Sequence, residues 1–411
     1  MEPAAGDTIR DRYTLAEHLG TGGFATVWRA RDEQRDRDIA LKLPSMHAHD
    51  EETVLSRFKR EQQLLEPFTE GLSHGTVVRY LDGDLENEPR YIALELLDGD
   101  PLAEAFSSDA LGTGVRRRIA TDLAETLDFL HRNDIVYFDL KPENVIVRPA
   151  GRPVLLDFNT AIRRSAAVDV RFEADQFKAP ELLGLESDGA VDASPGPRSD
   201  IYSWGKLAFY LLAGAKVPTG NVPEGGLDPR SFGSTCSRSL AGVVTRATAP
   251  DPAARYDDGT ALAAAVARAS GRGPRLLVTH PSGVRCAAGD GDAFGRFVAD
   301  EPLPWLVVAD PEGHVSPRHA RFERAADGWR LADESLNGTY VAGAEGWQFV
   351  LGEAGYRARV ERGEAAPDNP QPPTAVPIDD GTVLAPVHPE YGIRLRVTTA
   401  DRANSQDAGT T

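Results

Sequence analysis

The sequence predicts an α+β chain, strand-rich and then helix-rich, followed by a separate all-β region. Three observations predict it. The early apolar segments are short and strand-like, the last of them at 90–97. Helical periodicity then takes over at 115–131, 201–213 and 259–269. After the breaker-rich stretch Ser270-Gly-Arg-Gly-Pro-Arg275, β-type runs split by Gly, Pro and Asp appear at 275–279, 320–324 and 328–332. Such a series predicts a sandwich. The domain expectation is 13–269, a linker at 270–275, a β domain at 276–398 and a disordered tail at 399–411. Within the β domain, 343–373 dissolves into Gly, Pro and charge and is read as a loop insertion. Strand character returns at 381–384 and 393–398. No tandem repeat is present.

Composition narrows the class. Apolar residues make up 41% of 411, enough for a large core. No stretch reaches the ~18 apolar residues that span a bilayer. Residues 1–12 carry acids and lack an apolar run, so no signal peptide is expected there. The expectation is a cytoplasmic protein without a membrane partner. A net charge of −18 disfavours a nucleic-acid partner, because phosphate backbones need a basic face. Six of the 45 basic residues are lysine and the rest arginine. Cys236 and Cys286 are too few for a disulfide framework and are read as inert thiols.

The chemistry-bearing motifs follow in chain order. Leu19-Gly-Thr-Gly-Gly-Phe-Ala-Thr-Val27 is a glycine-rich turn between apolar segments. Gly20, Gly22 and Gly23 let a backbone approach phosphates closely, although a plain tight hairpin fits this motif equally well. Lys42 lies inside the apolar strand 39–43 and needs an anionic partner. Glu61, on the following helix, is the candidate; a clamp on phosphates is the functional reading of the pair. Asp139, Lys141 and Asn144 share a polar loop between two apolar strands. Asp139 would take the proton of a substrate hydroxyl, Lys141 would neutralise a γ-phosphate, and Asn144 would bind a metal. Asp157 ends another apolar strand, in Val154-Leu-Leu-Asp-Phe-Asn159, and would hold Mg²⁺. A lone Asp there is usually only a turn former.

In order and spacing these elements resemble the eukaryotic-type (Hanks-type) protein kinase family over about 13–270. The resemblance implies a bilobal fold, with a β-rich N-lobe and a helical C-lobe. It places Gly20, Gly22, Gly23, Val27, Lys42, Glu61, Glu95 and Leu97 around ATP, and Asn144 and Asp157 on Mg²⁺, with Mn²⁺ as an alternative. Asp139 and Lys141 become the catalytic pair. Ala179-Pro-Glu181 matches the motif closing the activation segment, and Arg255 the late arginine pairing with Glu181. Asp200, in Ser199-Asp-Ile-Tyr-Ser-Trp-Gly205, matches the buried acid that anchors the catalytic loop. Asp139-Leu-Lys-Pro-Glu-Asn144 implies transfer to serine or threonine.

Four departures accompany the resemblance. Ala25 replaces the third glycine of the phosphate loop. Tyr137-Phe138 replaces the usual His-Arg, whose arginine gathers a phosphorylated activation segment. Between Asp157 and Glu181 the only hydroxyl side chains are Thr160 and Ser165, so activation without that phosphate is expected. Asn159 replaces the glycine of Asp-Phe-Gly; Asn tolerates left-handed backbone angles. Ala174 stands where a threonine usually braces Asp139 and Lys141.

Three fragments of the β region, Phe294-Gly-Arg-Phe297, Val315-Ser-Pro-Arg-His-Ala320 and Asp333-Glu-Ser-Leu-Asn-Gly-Thr-Tyr-Val341, resemble the forkhead-associated (FHA) domain. That family is a β-sandwich that binds phosphothreonine. The resemblance implies that Arg296 supplies charge, Ser316 a hydroxyl donor and Asn337 a contact to the peptide backbone. His319 and Thr339 are expected to brace the loops. Pro317 and Leu336 stand where relatives often place polar contacts. The expected partners are protein substrates and phosphothreonine-bearing peptides. The alternative is a pseudokinase, an ATP-binding scaffold whose output is phosphopeptide capture. A small-molecule kinase is a weaker third reading, opposed by the Ala-Pro-Glu segment and the second domain.

Overall fold

A computed structural model describes residues 3–45, 50–166, 175–183, 195–214, 217–218, 222–299, 301–343, 346–366 and 370–399. Ala174 and the tail beyond 399 therefore lie outside the described residues. The described residues fall into two compact units, one within 1–69 and 76–271, the other within 70–75 and 272–411.

The first unit opens with strands β1 (Thr8–Ile9), β2 (Tyr13–Thr21), β3 (Ala25–Asp32) and β4 (Arg37–Pro44). Helix α1 (Glu51–Thr69) follows, started by Asp50, whose carboxylate accepts from the Thr53 N–H at 2.9 Å. Next in the chain is β5 (Leu72–His74), which belongs to the second unit, and then β6 (Tyr80–Asp84) and β7 (Tyr91–Glu95). The sheet order is β1-β2-β3-β4-β7-β6. Alternation puts Leu15, Ala30, Ile39, Leu41, Tyr91 and Ala93 into one core cluster beneath it. Lys42 sits in the middle of β4, paired with Val27 on one side and Ile92 on the other.

The helical part begins with β8 (Asp100–Pro101), α2 (Leu102–Ser107) and α3 (Thr113–Arg132). Short strands β9 (Ile135–Val136), β10 (Val145–Val147), β11 (Pro153–Leu155) and β12 (Ile162–Arg163) follow. Strands β10 and β11 pair antiparallel, and so do β9 and β12, which fixes both ends of the loop between β9 and β10. Helices α4 (Pro180–Leu183), α5 (Pro197–Ala213), α6 (Arg238–Ala247) and α7 (Gly259–Ala269) complete the unit. Proline at the first position of α5 and left-handed Gly214 after its end frame that helix. The α5 residues are buried on nearly all sides, and Trp204 donates from Nε1 to the Ala120 carbonyl of α3 at 2.8 Å.

The second unit holds two six-stranded sheets. Its strands are β13 (Leu276–Thr279), β14 (Arg285–Ala288), β15 (Ala293–Arg296), β16 (Leu306–Val308), β17 (Ala320–Ala325) and β18 (Gly328–Asp333). They continue with β19 (Thr339–Gly343), β20 (Gly346–Val350), helix α8 (Glu353–Glu361), β21 (Ala375–Ile378), β22 (Val383–Pro386) and β23 (Leu395–Thr399). One sheet runs β14-β13-β23-β22-β19-β20 and the other β21-β18-β17-β15-β16-β5. Every pairing is antiparallel except β15 with β16.

Two findings differ from the expectation. The 343–373 segment is not a plain loop; it contains β20 and α8. Gly355 hid the helix, since glycine weakens helix propensity by roughly 1 kcal/mol. Here it is required, because a Cβ at Gly355 would stand 2.4 Å from the Ser335 carbonyl oxygen. The second finding is β5, which lies antiparallel on β16 with Ser73 opposite Val307. Cys236 and Cys286 form no disulfide among the described residues, and Cys286 is fully buried in β14.

Candidate functional site

In the first unit the structure gathers side chains that are far apart in sequence. Lys42 Nζ donates to Glu61 Oε2 at 2.6 Å and to Asp157 Oδ1 at 2.9 Å. Glu61 is fully buried, on the inward face of α1 with Val54, Phe58 and Leu65. Burial alone would discharge Lys42, but Asp157 and Glu61 outweigh it and hold its pKa above the ordinary lysine value. The ammonium is therefore a fixed positive charge inside the sheet. The glycine-rich turn lies next to it, between β2 and β3, closed by Gly22 N–H donating to Ala25 O at 2.8 Å. A Cβ at Gly20 would meet nothing within 4 Å, and one at Gly22 only Ala25 O at 3.9 Å. The protein's own atoms leave open the space that a side chain would take at these two positions. Phe24, at the tip, stacks on the Arg57 guanidinium at 3.8 Å.

The loop between β9 and β10 carries Asp139, Lys141 and Asn144. Asn144 Nδ2 donates to the Asp139 carbonyl at 2.9 Å and to its Oδ2 at 2.7 Å. That leaves the Asn144 amide oxygen for a cation. Lys141 Nζ lies 3.0 Å from Asp139 Oδ2, and Lys178 Nζ donates to Oδ1. Burial opposes ionisation of Asp139, yet Lys178 and then Lys141 overcome it, and its pKa falls below the ordinary carboxyl value. Lys141 stays charged for the reciprocal reason: burial lowers its pKa, and Asp139 more than restores it.

The loop is anchored from below. Asp200 accepts from the backbone N–H of Tyr137 at 2.8 Å and of Phe138 at 2.6 Å. His131 Nδ1 accepts from the Gly259 N–H at 2.7 Å, so its Nε2 carries the proton it shares with Asp200 at 2.9 Å. Tyr137 fills the usual histidine position, donating its hydroxyl to the Leu156 carbonyl and meeting Phe158 edge-on with ring centroids 5.2 Å apart. Positive φ falls on Phe138 (66°) and Asp157 (52°), not on Asn159, so the left-handed tolerance expected of Asn159 is not used. Strain of this kind collects at functional positions and needs surrounding bonds to hold it.

Glu181 and Arg255 form a buried fork, with Nη1 to Oε1 at 2.7 Å and Nη2 to Oε2 at 3.0 Å. All five guanidinium donors of Arg255 are used, the other three by the carbonyls of Ala249, Arg198 and Pro250. The Glu95 carboxylate pairs with Arg148 at 2.5 Å and accepts from the Arg79 N–H, and the Glu95 N–H donates to the Arg79 carbonyl at 2.9 Å. Leu97 lies half-buried in the connector after β7. Thr160 is buried and donates to the Tyr137 carbonyl, while Ser165 is exposed.

Asp157 Oδ2, on a side chain 34% exposed, and the Asn144 amide oxygen offer only hard oxygen donors. That set fits Mg²⁺ or Mn²⁺ completed by phosphate oxygens and water. Among the described residues no cluster of three or more His, Cys, Asp or Glu side chains is present to hold a metal by itself.

The second unit brings its own three residues together. Arg296 ends β15, its N–H donating to the Ser316 carbonyl at 3.1 Å, and its Nε is buried without a hydrogen-bond partner among the described residues. Ser316 Oγ accepts from the Leu336 N–H at 3.3 Å, and Asn337 Nδ2 donates to the His314 carbonyl at 2.7 Å. Arg296, Ser316 and Asn337 thus stand on interlinked loops. Gly295 is obligatory, since a Cβ would fall 2.0 Å from the Pro317 carbonyl oxygen. His319 accepts at Nδ1 from the Ser316 N–H and shares Nε2 with the Gly338 carbonyl at 3.1 Å. Burial pushes its pKa down to about 4, so the bracing imidazole is neutral. Thr339 donates to Asp333 Oδ2 at 2.7 Å. Asp333 also accepts from Ser335 and the Gly352 N–H, a buried hub that the motif contained but that the sequence did not mark as a site.

Comparison with known proteins decides the family. The profile described as protein kinase domain matches residues 13–224, just over half of the chain. The chain belongs to the protein kinase family. A second profile, the FHA domain, matches residues 295–350. The chain is 29% identical over 283 residues to "Serine/threonine-protein kinase PknB" of Mycobacterium tuberculosis, covering 63% of this chain and 43% of that protein. To PknB of Mycolicibacterium smegmatis it is 29% identical over 353 residues, covering 79% and 52%. To "Serine/threonine-protein kinase pkn2" of Myxococcus xanthus it is 30% identical over 226 residues, covering 54% and 26%. The matches thus span about half or less of these relatives' own lengths. A solved structure titled "PpkA-294 apo form" shares the fold, with a TM-score of 0.52 at 23% identity, covering 64% of this chain and 99% of that one. No helix among the described residues is long and apolar enough to cross a membrane.

Proposed function

We propose that the chain transfers the γ-phosphate of ATP to serine or threonine hydroxyls of protein substrates, and that its FHA unit captures phosphothreonine-bearing segments of substrates or partners. One observation carries the first part: Lys42 bridges Glu61 and Asp157 in the same unit in which Asp139 is held ionised. Phosphoryl transfer asks a protein mainly for positioning and charge neutralisation. Lys42 would hold the α- and β-phosphates under the glycine-rich turn. Asp139 would orient the substrate hydroxyl and accept its proton, and Lys141 would offset charge on the transferring group. Asn144 and Asp157 would hold Mg²⁺ or Mn²⁺, which supplies electrostatic stabilisation of the phosphate oxygens. A cytoplasmic setting, where ATP and reduced thiols coexist, suits two cysteines outside any disulfide among the described residues.

The test is incubation of purified protein with Mg²⁺, γ-labelled ATP and a basic acceptor protein, beside Lys42→Met. Label that depends on Lys42 supports transfer. Bound ATP without label in either form replaces it with the scaffold reading.

The second part rests on Arg296, the unpartnered donor among linked loops. Charge-assisted bonds contribute roughly 1.5–3 kcal/mol. Arg296→Ala is expected to weaken binding of a phosphothreonine peptide by about 10- to 100-fold. Calorimetry checks this, and an equal affinity for the unphosphorylated peptide would refute it.

His319 yields a pH prediction. Its folded pKa, about 4, lies below the unfolded value near 6.5. Below pH 6.5 the unfolded chain takes a proton that the native one refuses. Stability is therefore full above about pH 6.5 and falls as pH drops toward 4, by about 3 kcal/mol in all. Denaturant melts of the second unit's fluorescence between pH 7 and 4 should show this slope, and His319→Gln should flatten it.

A further inference from the structure

We infer that Lys178 is a positioning residue for phosphoryl transfer, fixing the reacting carboxylate of Asp139 from the end of the activation segment. The inference rests on the kinase reading above.

Lys178 is nearly buried, its side chain 5% exposed, three residues before Glu181. A buried ammonium is retained only where anions and acceptors compensate its lost hydration. Its Nζ donates to Asp139 Oδ1 and, at 3.0 Å, to the Phe138 carbonyl. It therefore grips two adjacent residues of the catalytic loop. One of them, Phe138, has the strained φ of 66°.

The lone pairs of Asp139 show the consequence. A carboxylate offers about four acceptor positions. Oδ2 is occupied by Lys141 and by Asn144 Nδ2 at 2.7 Å. Oδ1 accepts from Lys178 and keeps one position, and that is where a substrate hydroxyl can be met. Lys178 thus sets the direction of the oxygen that takes the proton. Other charged or titratable groups around this cluster are Asp175, 3.8 Å from Lys178, and Asp157 and Tyr137, which share its field.

The sequence supports a specific demand for lysine. Only six of the chain's 45 basic residues are lysine. Lys42, Lys141 and Lys178 are three of the six, and each bonds a carboxylate in the candidate site. A compact ammonium fits between Oδ1 and a carbonyl where a planar guanidinium does not. Residue 174 has no hydroxyl to offer as a brace, and Lys178 supplies the missing donor from four residues further on.

The test is the split between kcat and KM for Lys178→Met and Lys178→Gln in the full chain, with melting temperature measured beside it. The kcat of the Met variant should fall at least about 10-fold with KM for ATP unchanged. Gln, which keeps a donor without charge, should recover part of kcat at the same KM. A merely structural lysine would lower melting temperature and raise KM for ATP in step with the loss of kcat, and that result, or a kcat within about twofold of wild type, overturns the inference. Should the Met variant not fold, Gln carries the same comparison. Should the wild type transfer no phosphate, the proposed function fails, and a crystal structure of Lys178→Gln decides this inference alone. An Asp139 carboxylate left in its wild-type orientation would refute it.

Discussion

Asp139→Asn is expected to lower kcat by about 10²–10⁴-fold, the range for a lost general base, while nucleotide affinity stays within a factor of about two. The amide nearly preserves shape and can still accept at one oxygen, but it cannot take a proton. The groups assigned to the nucleotide, Lys42 with Glu61 and Asp157, make no hydrogen bond to Asp139. A side-by-side measurement of kcat and of nucleotide binding by fluorescence titration checks both halves. Equal kcat would remove Asp139 from its role. A matching loss of nucleotide affinity would mean that its contribution is structural.

The largest stability effect is expected at the buried fork of Glu181 and Arg255. Arg255 is 1% exposed and Glu181 2%, so solvent screens neither. Arg255→Met removes all five donors and leaves Glu181 with only the Ser199 hydroxyl at 2.8 Å. Breaking such a pair from one side costs about 3–5 kcal/mol. For a unit of this size the melting midpoint should fall by about 10 °C. The carbonyls of Ala249, Arg198 and Pro250 lose their donors as well, which adds to the loss. Thermal melting followed by circular dichroism tests this. A shift under about 2 °C would show that water replaces the guanidinium and that the fork is not a structural keystone.

Both domains were legible in the sequence because their motifs combine fixed spacing with demanding chemistry. Lys42 announced itself as a charge inside an apolar strand, and Glu61 as the acid on the next helix. The helices α3, α5 and α7 followed from long periodic runs. What escaped had no local signal. Strand β5 has three residues, too few for alternation, and its partner β16 lies more than 200 residues further along the chain. Helix α8 was masked by Gly355, whose necessity comes from a tertiary neighbour, the Ser335 carbonyl. Lys178 had no local signal either, since only folding sets it on Asp139, 39 residues away. The partners of the Glu95 carboxylate, Arg148 and the Arg79 N–H, likewise had no local signal. His131 and Asp333 belong to the same class as Lys178, since a buried polar hub is recognised only by the partners that converge on it.

The most direct measurement is phosphoamino-acid analysis of an acceptor protein after reaction with γ-labelled ATP and Mg²⁺, comparing wild type with Asp139→Asn at equal nucleotide occupancy. Phosphoserine or phosphothreonine in the wild-type reaction alone is the predicted result. Label of equal amount in both reactions, or none in the wild type with ATP bound, would contradict the account.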